Sequence, residues 1–276
     1  MELNLLGKVV IQGSIHVVTG LRIGGPTTGL KIGGVDQPVI SDAFGRPYIP
    51  GSSLKGKLRT LIERKEKVKL NKTHKIKEGG QEKEEPYAHE CDKKEDYERC
   101  PVCKIWGILG TDKIKDISVL TRLIVRDIYL DESSITEEMK RNLELEWTEI
   151  KMETAIDRYK GTALRGSLRT IDRVPAGAKF SPMEIIYNVY EESDKDILVK
   201  VFEAMELLEH DYLGGMGSRG YGKVEFKNIE IYWNKKEDYE NGKLNQNKIN
   251  NGFDTPAKIV KNFENIKQNI KTEVKK

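Results

Sequence analysis

The chain's three cysteines and one of its four histidines fall inside a single stretch, HECDKKEDYERCPVC, at residues 89–103. Three cysteines cannot pair completely, and their crowding favours metal ligation over a disulfide framework. The spacing runs H-x-C, eight residues, then C-x-x-C. His89, Cys91, Cys100 and Cys103 can therefore supply the four nitrogen and sulfur donors of a tetrahedral zinc site from one segment. With all four positions filled by protein, the expected ion is structural zinc, fastening a charged stretch that buries too little to hold itself. The alternative is free thiols beside a surface histidine, and His74 is a weaker substitute ligand.

Around this knuckle the chain reads as strands and helices with long interruptions. Residues 5–23 alternate at Val9, Ile11, Ile15 and Val17, as a strand or bent strand pair does. A glycine- and proline-rich loop follows to Pro50. A helix opens at Ser52 or Ser53, with Leu54, Leu58, Leu61 and Ile62 as its apolar stripe and Lys55 and Arg59 on another face. Charge runs over 64–96, centred on EGGQEKEE, predict a mobile insertion. Further strands are expected at 119–130, 183–190 and 224–233, and a helix over 194–212 with Ile197, Val201, Met205 and Leu208 at helical spacing.

With the interruptions removed, the order is strand, helix, strand, strand, helix, strand. This predicts an α+β fold with a ferredoxin-like (RRM-like) core. One elaborated domain is expected over 1–233, carrying a zinc-bearing insertion at 64–116 and a second insertion at 131–180. A polar extension follows at 234–276, where only 256–274 has helical character. The formal charge of +3 is too small to announce a nucleic-acid binder, so binding has to be argued from local patches. No apolar run approaches the roughly 18 residues that span a bilayer, and MELNLLGKVV lacks a signal-peptide pattern. A cytoplasmic protein with no membrane partner is expected.

Gly215, Gly217 and Gly220 satisfy G-x-G-x-x-G, but this stretch follows a predicted helix and precedes a strand, the reverse of a dinucleotide-binding fingerprint. What remains is a glycine-rich loop carrying Arg219, suited to approach a phosphate closely or to act as a plain turn.

A glycine-rich loop before the last strand marks the RAMP proteins of CRISPR systems. HVVTGLRIGG, GGVDQPVI, GRPYIPGSSLKGKLRTLIE and KMETAIDRYKGTALRGSLRTIDRVPAGAKF, in that order, resemble the backbone RAMP subunit of type III-A (Csm-type) effectors, a Cas7-like family. The likeness spans nearly all of residues 7–230. It implies a protein that polymerises along a CRISPR guide RNA beside other Csm-type subunits and cuts the paired target RNA at regular intervals. On this resemblance Asp36 of GGVDQPVI is the catalytic acid, working with a divalent cation such as Mg2+. RNA carries its own 2′-OH nucleophile, so geometry and charge stabilisation suffice. The segment 157–174, with Arg158, Lys160, Arg165, Arg169 and Arg173, corresponds to the family's β-hairpin thumb. Lys55, Lys57 and Arg59 become guide-phosphate contacts, with His16 and Arg219 as further RNA contacts. Read without the resemblance, Asp36 is one loop acid, His16 a core histidine and the helix cations a solvated face. Competing readings are a non-catalytic scaffold of the same assembly and an RNA-processing RAMP enzyme, although no convincing His–Tyr acid–base pair stands near the glycine-rich loop. A DNA-binding zinc protein is the remaining alternative, and no recognition helix follows the knuckle at a finger's spacing.

Overall fold

The strand Gly7–Val17 is bonded on both sides. It pairs antiparallel with Lys179–Val189 on one flank and with Val224–Lys235 on the other, and Leu123–Val125 adds outside Lys179–Val189. Alternate residues Val9, Ile11, Ile15 and Val17 are buried, as are Ile185, Tyr187 and Val189 opposite them, so one sheet face is apolar throughout. Gly7 admits the Trp233 ring: a Cβ there would lie 2.4 Å from it. The computed structural model describes residues 4–25, 36–78, 81–108 and 120–272. None of its helices is long and apolar enough to cross a membrane.

Two helices cover the apolar face. Gly51–Lys65 buries Leu54, Leu58, Leu61 and Ile62, and Val199–Glu209 buries Val201, Phe202, Ala204, Met205 and Leu208; the two pack on one another. The first starts abruptly after Pro50, where the carboxylate of Asp127 accepts the Gly51 amide at 2.7 Å. That bond also explains a departure from expectation over 119–130. The stretch is not one strand: Leu123–Val125 joins the main sheet, while Ile128–Tyr129 pairs with Tyr48–Ile49. The chain has to turn at Arg126–Asp127 to cap the helix, which splits the apolar run in two.

Two further expectations are corrected. Much of the charged stretch 64–96 forms a β-hairpin, Lys72–Glu78 against Gln81–Ala88, and the knuckle after it is part of the main core. Tyr97, Val102, Ile105 and Trp106 are buried, because four large apolar groups outweigh the charges around them. A buried polar hub fastens this segment. Arg122 donates to Asp194 at 3.1 Å and to the Tyr97 hydroxyl at 2.7 Å, and Asp194 also accepts the Tyr190 and Glu191 amides.

The polar tail is equally integral. Its backbone closes the outer edge of Val224–Lys235 through Ile249 N to Ile231 O (2.8 Å) and Trp233 N to Asn247 O (3.0 Å). In place of one helix over 256–274 there are two short ones, Pro256–Lys261 and Phe263–Gln268, which bury Ile259, Phe263 and Ile266. Phe263 meets Phe202 with ring centroids 6.4 Å apart. Phe263→Ala is therefore expected to cost about 3–5 kcal/mol in chemical denaturation, as for a core aromatic, whereas Lys258→Ala stays within roughly 0.5 kcal/mol. A tail that merely hangs from the domain would leave both variants at wild-type stability.

Candidate nucleic-acid interface and metal centre

Antiparallel pairing brings three distant segments to one end of the sheet. Val17 pairs with Val224 and His16 with both Lys179 and Glu225, so the first strand ends where the other two begin. The loop leaving Val17, the residues entering Lys179 and the glycine-rich loop entering Val224 thus meet. Val18 N donates to Lys223 O (2.9 Å), Gly222 N to Gly20 O (3.0 Å), Gly215 N to Arg22 O (2.9 Å), and Leu21 and Val174 exchange backbone bonds. The glycines of 214–222 serve these approaches. A Cβ on Gly217 would sit 1.9 Å from the Tyr212 ring, and one on Gly214 2.1 Å from Arg22 O.

From this junction projects a β-hairpin. Glu149–Glu153 pairs with Arg169–Arg173, and Ile156–Asp157 with Thr162–Ala163 continues it outward. The Asp157 carboxylate accepts the Tyr159 and Lys160 amides and closes the tip. Ile171 is buried, but four other large apolar groups of the hairpin are in solvent: Met152 is 68% exposed, Ile156 66%, Leu168 65% and Tyr159 97%. Arg158, Lys160 and Arg165 are exposed as well, and among the described residues none of the three forms an ion pair.

The hairpin's base is charge-dense. Glu153 receives the Tyr221 hydroxyl at 2.8 Å, Arg169 at 3.1 Å and Arg219 at 3.4 Å, tying the hairpin to the glycine-rich loop. Burial pushes the Glu153 carboxyl up, but the Tyr221 hydroxyl, Arg169 and Lys151 outweigh it and leave it below the usual range. Burial and then that carboxylate push Tyr221 up to about 12. Lys151 and Arg173 lie over the Tyr221 ring, 4.5 and 5.0 Å from its centre. Residues such as Arg22, Lys151, Glu153 and Tyr221 escape a sequence reading because their partners are remote in the chain.

Asp36 lies against this base. Its Oδ2 accepts both the amide (2.9 Å) and the hydroxyl (3.0 Å) of Thr170. The bond from the Thr170 amide and then the one from its hydroxyl hold the fully exposed carboxyl below its ordinary value, so it is ionised at neutral pH. Residues 33–35 of GGVDQPVI, including Gly33 and Gly34, lie outside the described residues. The half-buried His16 is 3.1 Å from Ser14 Oγ, and burial, then Lys227 and Lys179, lower its pKa and favour the neutral ring.

The three helix cations all have partners within the chain. Lys55 donates to Leu123 O at 2.9 Å, and burial, then Arg59, lower its pKa. Lys57 pairs with Asp211 at 3.3 Å and stands 3.8 Å from the centre of the Tyr212 ring. Arg59 pairs with Glu63 at 2.8 Å and donates to Gly107 O and His89 O. The three side chains each engage the chain's own carbonyls, carboxylates or ring. Of the other cations, Arg158 and Arg165 form no ion pair among the described residues, while Arg169 and Arg219 share Glu153.

Arg59 also adjoins, through His89 O, a candidate metal centre. The ligand atoms of His89, Cys91, Cys100 and Cys103 all lie within 4.8 Å of one another. His89 Nδ1 is 2.9 Å from Lys69 O, which turns Nε2 toward the sulfurs of Cys100 (3.4 Å) and Cys91 (3.6 Å). The Cys103 amide donates to Cys100 Sγ at 3.5 Å. Hydrogen bonds from the Cys103 and Cys91 thiols pull Cys100 well below its ordinary value, at the expense of raised Cys91 and Cys103. A tetrahedron with metal–sulfur bonds of about 2.3 Å has edges of roughly 3.7 Å, so this donor set could hold a metal ion with small adjustment.

Residues 14–225 match the RAMP superfamily. The chain belongs to that superfamily. Among curated proteins, this RAMP protein is 47% identical over 239 residues to the "CRISPR system Cms endoribonuclease Csm3" of Methanocaldococcus jannaschii, covering 87% of this chain and 86% of that one. The protein of the same description from Methanothermobacter thermautotrophicus is 37% identical, covering 80% and 84%. Among solved structures, a Csm3–Csm4 subcomplex of the type III-A CRISPR-Cas interference complex contains a chain that superposes with a TM-score of 0.56. The two are 33% identical, with 95% of this chain and 97% of the other covered. This RAMP protein is therefore a member of the Csm3 family, as its motifs had suggested.

Cations with and without an ion pair separate in one measurement. Arg59→Ala removes the ion pair of Glu63, which keeps only the His89 amide, and the Arg59 donors to two carbonyls, and is expected to lower stability by roughly 1–3 kcal/mol, whereas Arg158→Ala changes it by less than about 0.5 kcal/mol. Equal denaturation midpoints for the two variants would contradict the assignment.

Proposed function

We propose that the chain is the guide-RNA-binding backbone subunit of a type III-A CRISPR interference complex and that it cleaves complementary target RNA at regular intervals, with Asp36 as the acting carboxylate. The observation that carries this reading is an exposed, ionised Asp36 held against the root of a protruding hairpin, in a protein whose relatives are named endoribonucleases. The underlying frame is the ferredoxin-like core. Its support is the sheet order Val224–Lys235, Gly7–Val17, Lys179–Val189, Leu123–Val125, with Gly51–Lys65 and Val199–Glu209 as the crossing helices.

In this reading the hairpin 149–173 is the thumb. Its exposed Met152, Ile156, Tyr159 and Leu168 suit insertion between stacked bases, and Arg158, Lys160 and Arg165 suit sequence-blind phosphate contact. Insertion displaces a target nucleotide beside the hairpin's root and lets its 2′-OH come into line with the adjacent phosphate. Asp36 supplies fixed negative charge there, able to orient the 2′-OH or help hold a divalent cation such as Mg2+, which would neutralise phosphate charge. Further copies of this chain along the guide account for regular spacing, and other Csm-type subunits complete the complex in the cytoplasm. The knuckle holds structural zinc, since four nitrogen and sulfur donors leave no open position for a reacting water.

Asp36→Ala in the reconstituted complex is expected to abolish target cleavage while leaving guide binding and target capture nearly intact. Asp36→Asn should fail almost as badly, because the amide keeps the shape and loses the charge. Wild-type cleavage rate and spacing from Asp36→Ala would return the chain to the pure-scaffold reading.

Cys103→Ser is expected to drop bound zinc from about one per chain to near zero and to lower the thermal midpoint of the whole domain, since Val102 and Ile105 beside it are core residues. Native protein purified without chelator and free of zinc by elemental analysis would refute the assignment.

A further inference from the structure

We propose that Thr170 is a positioning residue for the cleavage reaction, fixing the Asp36 carboxylate to the thumb strand through a reciprocal pair of hydrogen bonds made by its hydroxyl. This rests on the reading of Asp36 as the acting carboxylate. The Thr170 hydroxyl donates to Asp36 Oδ2 at 3.0 Å and accepts the Asp36 amide at 3.3 Å, and the Thr170 amide donates to the same Oδ2 at 2.9 Å. One residue thus binds both the backbone and the side chain of Asp36. A hydroxyl engaged in both roles has a defined orientation, and so has the carboxylate it meets.

The next residues continue the attachment. Gln37 bridges in parallel to Ile171, Asp172 N donates to Gln37 O at 3.3 Å, and the Asp172 carboxylate accepts Val39 N at 3.0 Å. The segment 36–39 therefore lies along the thumb strand Arg169–Arg173 as a partial third strand, and the acid is referenced to the thumb. Oδ1 of Asp36 has no hydrogen-bond partner among the described residues, so one carboxylate oxygen anchors while the other is free to act. An exposed aspartate without this anchor would sample several rotamers, and its productive geometry would be reached only part of the time.

Thr170→Val keeps the β-branched shape, the strand backbone and the amide donor, and removes only the hydroxyl. Thr170→Ser restores it. In reconstituted complexes the Val variant is expected to cleave complementary RNA about ten- to a hundredfold more slowly at saturating target, with unchanged target affinity and unchanged product spacing, and the Ser variant to recover most of the rate. A role confined to folding or thumb shape would instead alter affinity, assembly or spacing, or leave Ser as impaired as Val, and any of these would overturn the proposal. Thr170→Val cleaving at the wild-type rate while Asp36→Ala is inactive would overturn the positioning role and leave the reading of Asp36 intact. An active Asp36→Ala complex would overturn both.

Discussion

The organisation of this protein depends on the strand Gly7–Val17 being bonded antiparallel along both edges. Because both neighbours run opposite to it, its last residues face the first residues of Lys179–Val189 and of Val224–Lys235. Whatever leaves the first strand and whatever enters the other two must then occupy the same end of the sheet. That constraint joins Asp36, the hairpin 149–173 and the glycine-rich loop of 214–222, three segments that are not adjacent in sequence. Leu21, Val174 and Leu213 anchor this end in the core, while the outer part of the hairpin stays in solvent.

At that end the electrostatics are balanced rather than simply basic. Glu153 gathers Arg169, Arg219 and the Tyr221 hydroxyl, and Glu149 pairs with Arg173 at 2.7 Å. The carboxylates orient the guanidinium groups in a crowded site where unpaired like charges would repel. The exposed arginines farther out on the hairpin carry no such partner and bring positive charge to a polyanion at little cost to folding. A net charge of +3 hides this arrangement, since Lys151, Arg169, Arg173 and Arg219 at the hairpin's root are matched locally by Glu149 and Glu153.

The metal knuckle and the tail do for the two flanks what the sheet does for the centre. Arg59 reaches from the first helix to the carbonyls of His89 and Gly107, and Arg122 joins Tyr97 to Asp194 at the start of the second helical region. Charged side chains that look solvated in the sequence thus connect elements across the core. The tail closes the exposed edge of Val224–Lys235, which would otherwise present unpaired amides and carbonyls to other chains.

Much of this was legible in the sequence where the signal is local. Alternation at Val9, Ile11, Ile15 and Val17, the stripe Leu54–Leu58–Leu61–Ile62 and the spacing of His89, Cys91, Cys100 and Cys103 depend on the short-range periods of strands, helices and metal knuckles. The family motifs likewise pointed to Asp36 and the hairpin. The intrachain partners of Lys55, Lys57 and Arg59 were not legible, because a cation's partner can be a carbonyl remote in the chain and periodicity does not reveal it. The same holds for the run 119–130, broken so that Asp127 can cap a helix, and for the tail, where Ile259, Phe263 and Ile266 have helical spacing but their docking on the core depends on segments remote in the chain. Local periodicity and spacing alone were enough for the strand Gly7–Val17, the helix Gly51–Lys65 and the cluster of His89, Cys91, Cys100 and Cys103, whose donor types suit a metal ion. Only the tertiary structure decided which charges are free and that Thr170 holds Asp36, because those contacts arise from pairing between segments that chain order does not bring together.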